Sequence, residues 1–344
     1  MKIGEKIRQM RIGAGMTQEQ LAMKFGVSAQ SVSKWENEIS MPDITLLPSI
    51  AEAFGISIDE LFDLTTEQKM NRIENRIEIE QELTAEIFKE YEDFLKEQLT
   101  GKDRARAVSL IAHLYHHRIE SDSRRVSKYG REAILLDPAK KDCQWLLDKA
   151  EGHAMWDWNC YNHSSAIDFY KEVVEADKGE PRSSLPYYYL IDNLLADNRA
   201  DEAEKYLEPF SKLPSANPVM VDVYRAYIAL ARFDVVTADA IIEDCVFAHP
   251  EDCGYLFEAA QYYARRCNYN RALELYERSW KQEKEPRFWD TLQGIATIYK
   301  ILEDKESAAK AYDRILECLT KDWGYSKQDK PYIEVEQYKA ELYK

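Results

Sequence analysis

Apolar residues in the first 62 positions recur at intervals of three and four, which is the period of an amphipathic α-helix. Polar or glycine-containing segments separate the successive series. The positions expected to face inward are Ile3, Ile7, Met10, Leu21, Ala22, Phe25, Val32 and Trp35. The pattern predicts a compact N-terminal bundle of five short helices over residues 1–64.

Helix-start signals divide this bundle into its elements. Thr17 and Gln20 have the spacing of a capping box, in which each side chain bonds the other residue's backbone N–H. Ser28 is placed to cap a third helix. Thr45 is placed to cap a fourth, with Pro48 in its first turn, where the missing N–H of proline costs nothing. These signals predict separate helices joined by tight turns.

Residues 66–99 contain neither glycine nor proline, and their apolar residues again recur mostly at intervals of three and four. This predicts one long amphipathic connecting helix within a segment that covers residues 65–104. Two partners for its apolar stripe remain open. The stripe packs either on the domain that follows or on the same stripe of a second subunit, and an interruption at Glu80 weakens a strict heptad.

A different pattern, an internal repeat, runs from residue 105 to the C-terminus. A small or medium residue begins the second helix of each predicted pair, and an apolar or aromatic residue follows it, usually four positions later. The clearest pairs are Ala166 with Tyr170, Ala203 with Leu207, Ala238 with Ile242, Ala272 with Tyr276 and Ala308 with Tyr312, while Val126 with Ala133 is the weakest. Successive first members lie 40, 37, 35, 34 and 36 residues apart. This spacing predicts an α-solenoid over residues 105–344.

Positive charge is concentrated near the N-terminus, although the whole chain carries a net charge of −16. Residues 1–35 hold six lysines or arginines and two glutamates, whereas residues 36–62 hold six acidic residues and no basic one. The first 62 residues therefore sum to −2 and the other 282 to −14. We expect a phosphate-facing surface only in the N-terminal segment, because the rest of the chain would repel nucleic acid.

Composition also bears on the compartment of the protein. No run of about 18 apolar residues is present, so we expect no membrane-spanning helix. The N-terminal residues lack the apolar core of a signal peptide. The six cysteines are scattered without a CxxC pair, which is typical of free thiols in a reducing compartment. A cytoplasmic protein is predicted.

The segment MTQEQLAMKFGVSAQSVSKWENE, residues 16–38, resembles the helix-turn-helix of the lambda-repressor-like (Xre/Cro) family. The resemblance implies that residues 28–36 form a recognition helix in the DNA major groove. Glu36 is implied to pair with Arg11 of the first helix, and Trp35 to fix the angle of the recognition helix. The residues implied to face base edges are Ala29, Gln30, Ser33 and Lys34, and those implied to hold phosphates are Gln18 and Asn37.

The chemistry of these side chains agrees with that role. A glutamine such as Gln30 presents both a donor and an acceptor to adenine, and Lys34 can donate to guanine. Ala29 is small enough to contact a thymine methyl group. Read in isolation, the same polar helix face would more often be merely solvated, so the interpretation depends on the caps, the turn glycine and the tryptophan occurring together.

The C-terminal repeats resemble tetratricopeptide units, whose first helices line a concave face. Counting positions within each unit places aromatic side chains among amides and charges on this face, which suits an extended peptide. The implied ligand-binding residues are Tyr115, Met155, Trp158, Asn159, Tyr188, Asp192, Tyr227, Phe257, Gln261 and Arg265. The alternative for any one aromatic residue is a plain packing role between repeats.

Together these features predict an all-α protein with an N-terminal five-helix helix-turn-helix domain, a connecting helix and a tetratricopeptide-like α-solenoid. The combination resembles the peptide-sensing RRNPP regulators, which implies a dimeric DNA-binding transcription regulator controlled by a peptide or small ligand in the groove. The alternative is a DNA-tethered adaptor whose repeats hold a protein partner and sense no ligand.

Enzymatic and metal chemistry find little support in the sequence. The chain has no glycine-rich phosphate loop, HExxH motif or nucleophile elbow, so no catalytic residue and no cofactor is predicted. His113, His116 and His117 share one predicted helix, but no acid or cysteine stands near them at ligand spacing. We expect a surface or packing role for these histidines and no metal site.

Overall fold

The computed structural model describes residues 3–62, 65–139, 141–153, 161–176 and 183–344, all in helices and their connections. Two compact units, Met1–Val126 and Ser127–Lys344, divide the chain. The prediction of an all-α chain with a helix-turn-helix and a helical repeat region is confirmed. Within the described ranges, no helix is long and apolar enough to cross a membrane. The predicted domain limits, 1–64, 65–104 and 105–344, stay a prediction.

The N-terminal bundle is built from five α-helices and one 3-10 turn. The α-helices are α1 (Ile3–Gly13), α2 (Gln18–Phe25), α3 (Ala29–Glu36), α4 (Leu47–Phe54) and α5 (Ile58–Leu61). Thr17 and Gln20 form the predicted capping box, and Ser28 caps α3 by accepting the Ser31 N–H. Helices α1 and α3 approach closely at Gly4, where an added Cβ would stand 1.9 Å from the carbonyl oxygen of Trp35. Only glycine fits this helix crossing.

The predicted cap of the fourth helix is wrong. Asp43 caps the 3-10 turn Ile44–Leu46 instead, and its carboxylate accepts both the N–H of Thr45 (2.8 Å) and the Thr45 hydroxyl (2.6 Å). The Thr45 side chain is therefore used as a donor within the turn. Helix α4 begins at Leu47 without a side-chain cap, and Pro48 occupies its first turn as expected.

The single connecting helix is also wrong, because the segment forms two helices, α6 (Thr66–Ile79) and α7 (Ala85–Glu97). Thr84 caps α7, and Glu80 adopts an extended backbone after α6. Both apolar faces pack with the start of the next helix, α8 (Arg104–Leu136). The stripe is therefore buried within its own chain. The buried residues of the shared cluster are Met70, Ile73, Phe88, Tyr91 and Leu95 from the stripe and Ala107, Leu110 and Leu114 from α8.

Side chains of α8 hold the elbow between α6 and α7. A ring nitrogen of His117 lies 2.7 Å from the Glu80 carbonyl oxygen. Arg124 donates to the Gln81 carbonyl at 2.6 Å, and Arg125 donates to the Glu82 carboxylate at 2.9 Å. The contacts of His117 and Arg124 satisfy carbonyl groups that a continuous helix would have bonded internally. The break in the predicted helix is thus stabilised from about 40 residues away.

Helix α8 overturns the weakest predicted repeat. A helix pair with its second member near Val126 was expected, but the 33 residues of α8 are continuous. Neither proline nor glycine occurs between Arg104 and Tyr129, so nothing in this stretch ends the helix. The residues from 107 onward consequently start with one long helix rather than a helical hairpin.

The remaining helices form the predicted repeats. They are α9 (Lys141–Glu151), α10 (Ser164–Ala176), α11 (Leu185–Ala196), α12 (Ala200–Ser211), α13 (Pro218–Ala231), α14 (Val235–Ala248), α15 (Cys253–Arg265), α16 (Tyr269–Gln282), α17 (Asp290–Ile301), α18 (Lys305–Lys321) and α19 (Lys330–Glu341). From α10 to α19 consecutive helices pack together, and α11, α13, α15 and α17 also pack in succession. First helices thus stack on first helices, as in a solenoid.

The turn inside each hairpin repeats a backbone feature that no side-chain pattern had indicated. Asn198, Phe233, Cys267 and Glu303 all have a positive φ between 56° and 63°. They lie 35, 34 and 36 residues apart, which matches the repeat length. A left-handed residue in a short turn reverses the chain after the first helix. The small residues predicted to open the second helices, Ala203, Ala238, Ala272 and Ala308, are all completely buried.

Candidate DNA-binding surface and repeat-domain cavity

The outer face of α3 carries the residues implied to read DNA. Gln30 and Lys34 are exposed, and Ser33 is half-buried beside them. Ala29 is half-buried and packs against the core of the bundle. The opposite face buries Val32 and Trp35 completely or nearly so. The helix therefore presents one polar face outward and is held by its apolar face.

A buried ion pair lies at the end of this helix. The guanidinium of Arg11 contacts both carboxylate oxygens of Glu36, at 2.5 and 2.9 Å, and donates to the Met16 carbonyl at 2.7 Å. The predicted pairing of Glu36 with Arg11 is confirmed. Burial opposes ionisation of Glu36, but hydrogen bonds from Arg11 and Gln18 outweigh it and hold the pKa of this carboxyl below its ordinary value. The network fixes α3 against α1 and α2.

The two residues implied to hold phosphates also take part in local bonds. Gln18, the first residue of α2, donates from Nε2 to Glu36 at 2.8 Å. Asn37, the cap after α3, donates from Nδ2 to the Ser33 carbonyl at 2.8 Å. A side-chain amide has two hydrogens. Gln18 is therefore held by one amide hydrogen and retains a second that can bond a phosphate oxygen, whereas Nδ2 of Asn37 also contacts the Ser33 hydroxyl oxygen at 3.4 Å.

The Ser127–Lys344 unit contains a cavity of about 700 Å³ on the stacked first helices α11, α13 and α15. Five of the residues predicted to bind a ligand line this cavity: Asp192, Tyr227, Phe257, Gln261 and Arg265. The other lining residues are Asn193, Leu195, Ala196, Asn198, Met220, Tyr224, Leu230, Ala231 and Glu258. Counting positions within repeats therefore brought together side chains from three successive units.

Two other predicted ligand residues, Tyr115 and Tyr188, do not line this cavity. Tyr115 belongs to the Met1–Val126 unit, where its ring packs edge-to-face on Phe88 and its hydroxyl bonds Glu92. Tyr188 accepts the Asn217 N–H at 2.9 Å, and its ring packs on Phe210. Both side chains make these local contacts, and their assignment to a ligand groove stays a prediction. The predicted residues Met155, Trp158 and Asn159 lie outside the described residues.

Nine lining residues were not predicted from the sequence, and Tyr224 and Glu258 are two of them. Tyr224 donates its hydroxyl to Asp192 at 2.8 Å and so orients that carboxylate. Glu258 lies directly after Phe257 and half-buried among apolar neighbours of α15. A signal for Glu258 was present in the sequence, since it is the only acidic residue between Gly254 and Arg265.

The pKa values of the two cavity acids are raised, whereas the pKa of Glu36 is lowered. Burial raises the pKa of Asp192, against a hydrogen bond from Tyr224 and the nearby charge of Arg265. Burial likewise raises the pKa of Glu258, which Arg265 lowers and Asp192 raises further. The Arg265 guanidinium lies over the ring of Tyr227, 5.1 Å from its centre. The two acids are incompletely compensated.

Comparison with known proteins addresses mainly the N-terminal bundle. A helix-turn-helix family model matches residues 7–61. The chain is 43% identical over 61 residues to the transcriptional activator BcrR of Enterococcus faecalis, which is 18% of this chain and 30% of that protein. It is 36% identical over 63 residues to an HTH-type regulator of Archaeoglobus fulgidus, covering 18% of this chain and 90% of that one. The chain thus spans less than a third of the length of BcrR.

A structural comparison covers nearly the whole chain. The crystal structure of Bacillus thuringiensis PlcR, in complex with the peptide PapR7 and DNA, aligns over 99% of this chain and 98% of that one. Its sequence identity is 13% and its TM-score is 0.23. The sequence relatives are transcription regulators rather than enzymes.

Proposed function

The chain belongs to the helix-turn-helix family of transcription regulators, and from that premise we propose that α3 reads DNA sequence while a ligand in the repeat-domain cavity controls binding. The bases are contacted by Gln30, Ser33 and Lys34, with Ala29 at the edge of the contact. Gln18 and Asn37 hold phosphates on either side. The observation that carries this proposal is the division of α3 into a locked inner face and an open polar outer face.

The outer face is available for contacts. Within the described ranges, the side chains of Gln30 and Lys34 make no hydrogen bond or ion pair with another residue, and both are exposed on a helix whose base is fixed by Arg11 and Glu36. Base readout requires unused donors and acceptors on a helix whose backbone is already fixed, because only the side chains then have to be ordered on binding.

The functional unit that we propose is a homodimer. A single helix-turn-helix module buries too little surface for tight specific binding, so two α3 helices would enter successive major grooves. Two identical readers related by a two-fold axis require an inverted repeat in the DNA. Light scattering of the full chain with and without such DNA measures this. A mass of one chain, 40.2 kDa, under both conditions would contradict the dimer.

The DNA-binding role is tested by substituting exposed side chains. We expect Lys34→Ala and Gln30→Ala to weaken binding of the full chain to its own promoter region, measured by fluorescence anisotropy at fixed salt. Gln9→Ala is the matched control, because Gln9 is an exposed glutamine on α1 outside the proposed contact face. Equal affinities for all four proteins would overturn the assignment of α3.

The controlling ligand is tested separately. The low-molecular-weight peptide fraction of the native cytoplasm is added to the full chain, and DNA affinity is measured before and after. We expect a change for the wild type and a smaller change for Gln261→Ala, because Gln261 lines the cavity and supplies amide hydrogen bonds. An unchanged DNA affinity for the wild type would favour the adaptor, whose repeats hold a protein partner and sense no ligand.

A further inference from the structure

We propose that the repeat-domain cavity recognises its ligand through a protonated amine, held between the carboxylates of Asp192 and Glu258 and against the surrounding rings. The inference rests on the proposed function in taking this cavity as the ligand site. It adds the chemical class of the group that is recognised. That group is an alkylammonium, such as the end of a lysine side chain, the amino terminus of a peptide or a polyamine.

The two carboxylates of the cavity have few bonding partners among the described residues. Asp192 accepts one hydrogen bond, from Tyr224, through Oδ1. The carboxylate of Glu258 makes no hydrogen bond and no ion pair with any residue that the structure describes. Asp192 lies on α11 and Glu258 on α15, and Tyr224 of α13 lines the same cavity. Two acidic residues from different repeats therefore line one cavity.

Several other acids of the same repeats have an arginine partner. Asp239 pairs with Arg266, Glu243 with Arg271 and Glu277 with Arg314, the last two at 2.8 and 2.6 Å. The repeats thus supply an arginine partner to acids outside the cavity. Asp192 and Glu258 have no such partner in the described part of the chain.

The charged side chains of the cavity wall leave it with a net negative charge. Its lining contains two carboxylates and one cation, Arg265. The guanidinium of Arg265 stacks on Tyr227 and forms no ion pair with either acid in the described structure. One negative charge in the wall therefore lacks a counterion. A ligand with a single positive charge would balance it, and burial makes that balance more valuable than it would be in water.

The rest of the cavity wall is largely aromatic and aliphatic. Tyr224, Tyr227 and Phe257 supply aromatic surface, and Met220 and Leu230 supply aliphatic surface. An ammonium group near aromatic faces gains a cation–π attraction, and the alkyl chain behind it is covered by apolar groups. A neutral alcohol of the same length would gain the apolar contacts but neither the ionic nor the cation–π interaction. The cavity should therefore discriminate between the two.

The experiment measures hexylammonium and 1-hexanol binding to the full chain at pH 7 by ligand-observed NMR titration. We expect hexylammonium to bind about tenfold more tightly than 1-hexanol, a preference within the range of a partly desolvated cation–π contact. Glu258→Gln and Asp192→Asn keep side-chain size and should each reduce the preference severalfold. Arg265→Gln should increase it, because a repelling cation is removed. Glu208→Gln, an exposed acid paired with Lys212, is the matched control and should change nothing.

The results for the amine and the alcohol test amine recognition separately from the control of DNA binding. Equal binding of amine and alcohol, no amine binding, or full amine preference in both acid variants would overturn amine recognition, even if the cytoplasmic peptide fraction alters DNA affinity. Amine preference that depends on Asp192 and Glu258 without any ligand effect on DNA binding would uphold the recognition and contradict the switch. Circular dichroism of each variant confirms that the helices remain folded.

Discussion

The N-terminal bundle and the repeat domain each place a carboxylate among buried neighbours, and they treat it differently. Glu36 receives a two-point contact from Arg11 and a hydrogen bond from Gln18, and its pKa is lowered. Glu258 receives no such contact from the described residues, and burial raises its pKa. A compensated carboxylate fixes the position of a helix. An uncompensated one in a cavity leaves an interaction for a ligand to make.

The same difference extends to the surfaces that these regions offer. In the bundle, polar compensation lies inside and the unused donors of Gln30 and Lys34 point outward to solvent. In the repeats, salt bridges such as Glu277 with Arg314 lie outside the cavity, and the two acids without an ion pair, Asp192 and Glu258, line it. A rigid outward surface suits a large flat partner such as DNA, whereas an inward cavity suits a small group.

The largest expected effect comes from removing the compensated carboxylate. Glu36→Ala leaves the Arg11 guanidinium, only 12% exposed, without its partner. Breaking a buried pair on one side costs about 3 kcal/mol or more. We expect the free energy of opening of α1–α3 to fall by this amount, as measured by hydrogen exchange resolved by region.

The repeat unit serves as an internal control for Glu36→Ala. The exchange of α15–α18 in the repeat unit should not change. Lys212→Ala removes an exposed ion pair and should shift neither region measurably. A wild-type opening energy for α1–α3 in Glu36→Ala would show that the network does not fix the recognition helix.

The bundle and the repeat domain each have a glycine at which an added Cβ would lie less than 3.0 Å from a neighbouring helix. A Cβ at Gly4 would meet the Trp35 carbonyl oxygen at 1.9 Å, which is backbone. A Cβ at Gly294 in α17 would meet the buried ring of Tyr276 at 2.6 Å, which is side chain rather than backbone. We expect Gly4→Ala to destabilise its region by about 2–3 kcal/mol and Gly294→Ala by about 1 kcal/mol.

Region-resolved hydrogen exchange also measures this pair. The helix propensity of alanine works in favour of both variants equally, so the difference between them reports the steric contact. Gly13→Ala, with nothing within 4 Å of the added Cβ, is the control for the bundle. A smaller cost for Gly4→Ala than for Gly294→Ala would mean that α1 and α3 are not held at this distance.

The smallest expected effect is a difference in the sign of pH dependence. The folded pKa of Glu36 is lowered, so its contribution to stability is present above the unfolded pKa, about 4.3, and is lost as pH falls through the folded value. The folded pKa of Glu258 is raised, so its contribution is present below the unfolded pKa and is lost as pH rises through the folded value.

Isosteric amides expose these signs. At pH 7 we expect Glu36→Gln to weaken the bundle and Glu258→Gln to strengthen the repeat unit. As pH falls toward 3, both differences from the wild type should shrink. Region-resolved exchange at pH 7 and at acidic pH, corrected for intrinsic rates, checks this. A destabilised repeat unit in Glu258→Gln at pH 7 would contradict the uncompensated state of that carboxylate.

Much of the bundle was predictable because its signals are local. The capping box of Thr17 and Gln20 and the Ser28 cap lie within four residues of what they bond. The Arg11–Glu36 pair spans 25 residues, and it was predicted only through the resemblance to a known helix-turn-helix. Repeat periodicity likewise placed five cavity residues, because equivalent positions in stacked helices share a face.

The features that the local pattern did not indicate have long-range causes. The elbow after Glu80 contains no glycine or proline, and it is stabilised by His117 and Arg124 from α8. Tyr115 was assigned to the groove because α8 was expected to be the first half of a hairpin. Tyr188 occupies a first-helix position in a true repeat, yet its hydroxyl is taken by the Asn217 N–H at the start of the next unit. Tertiary partners decided each case.

The central claim, that the outer face of α3 reads DNA sequence, is tested most directly by selecting binding sites from random DNA with the full chain and with Gln30→Ala. We predict that the wild type selects an inverted repeat. In Gln30→Ala the preference should relax at one base position of each half-site, by about 1–3 kcal/mol, while the other positions keep theirs. An identical preference profile for the two proteins, or no selected sequence for the wild type, would contradict the account.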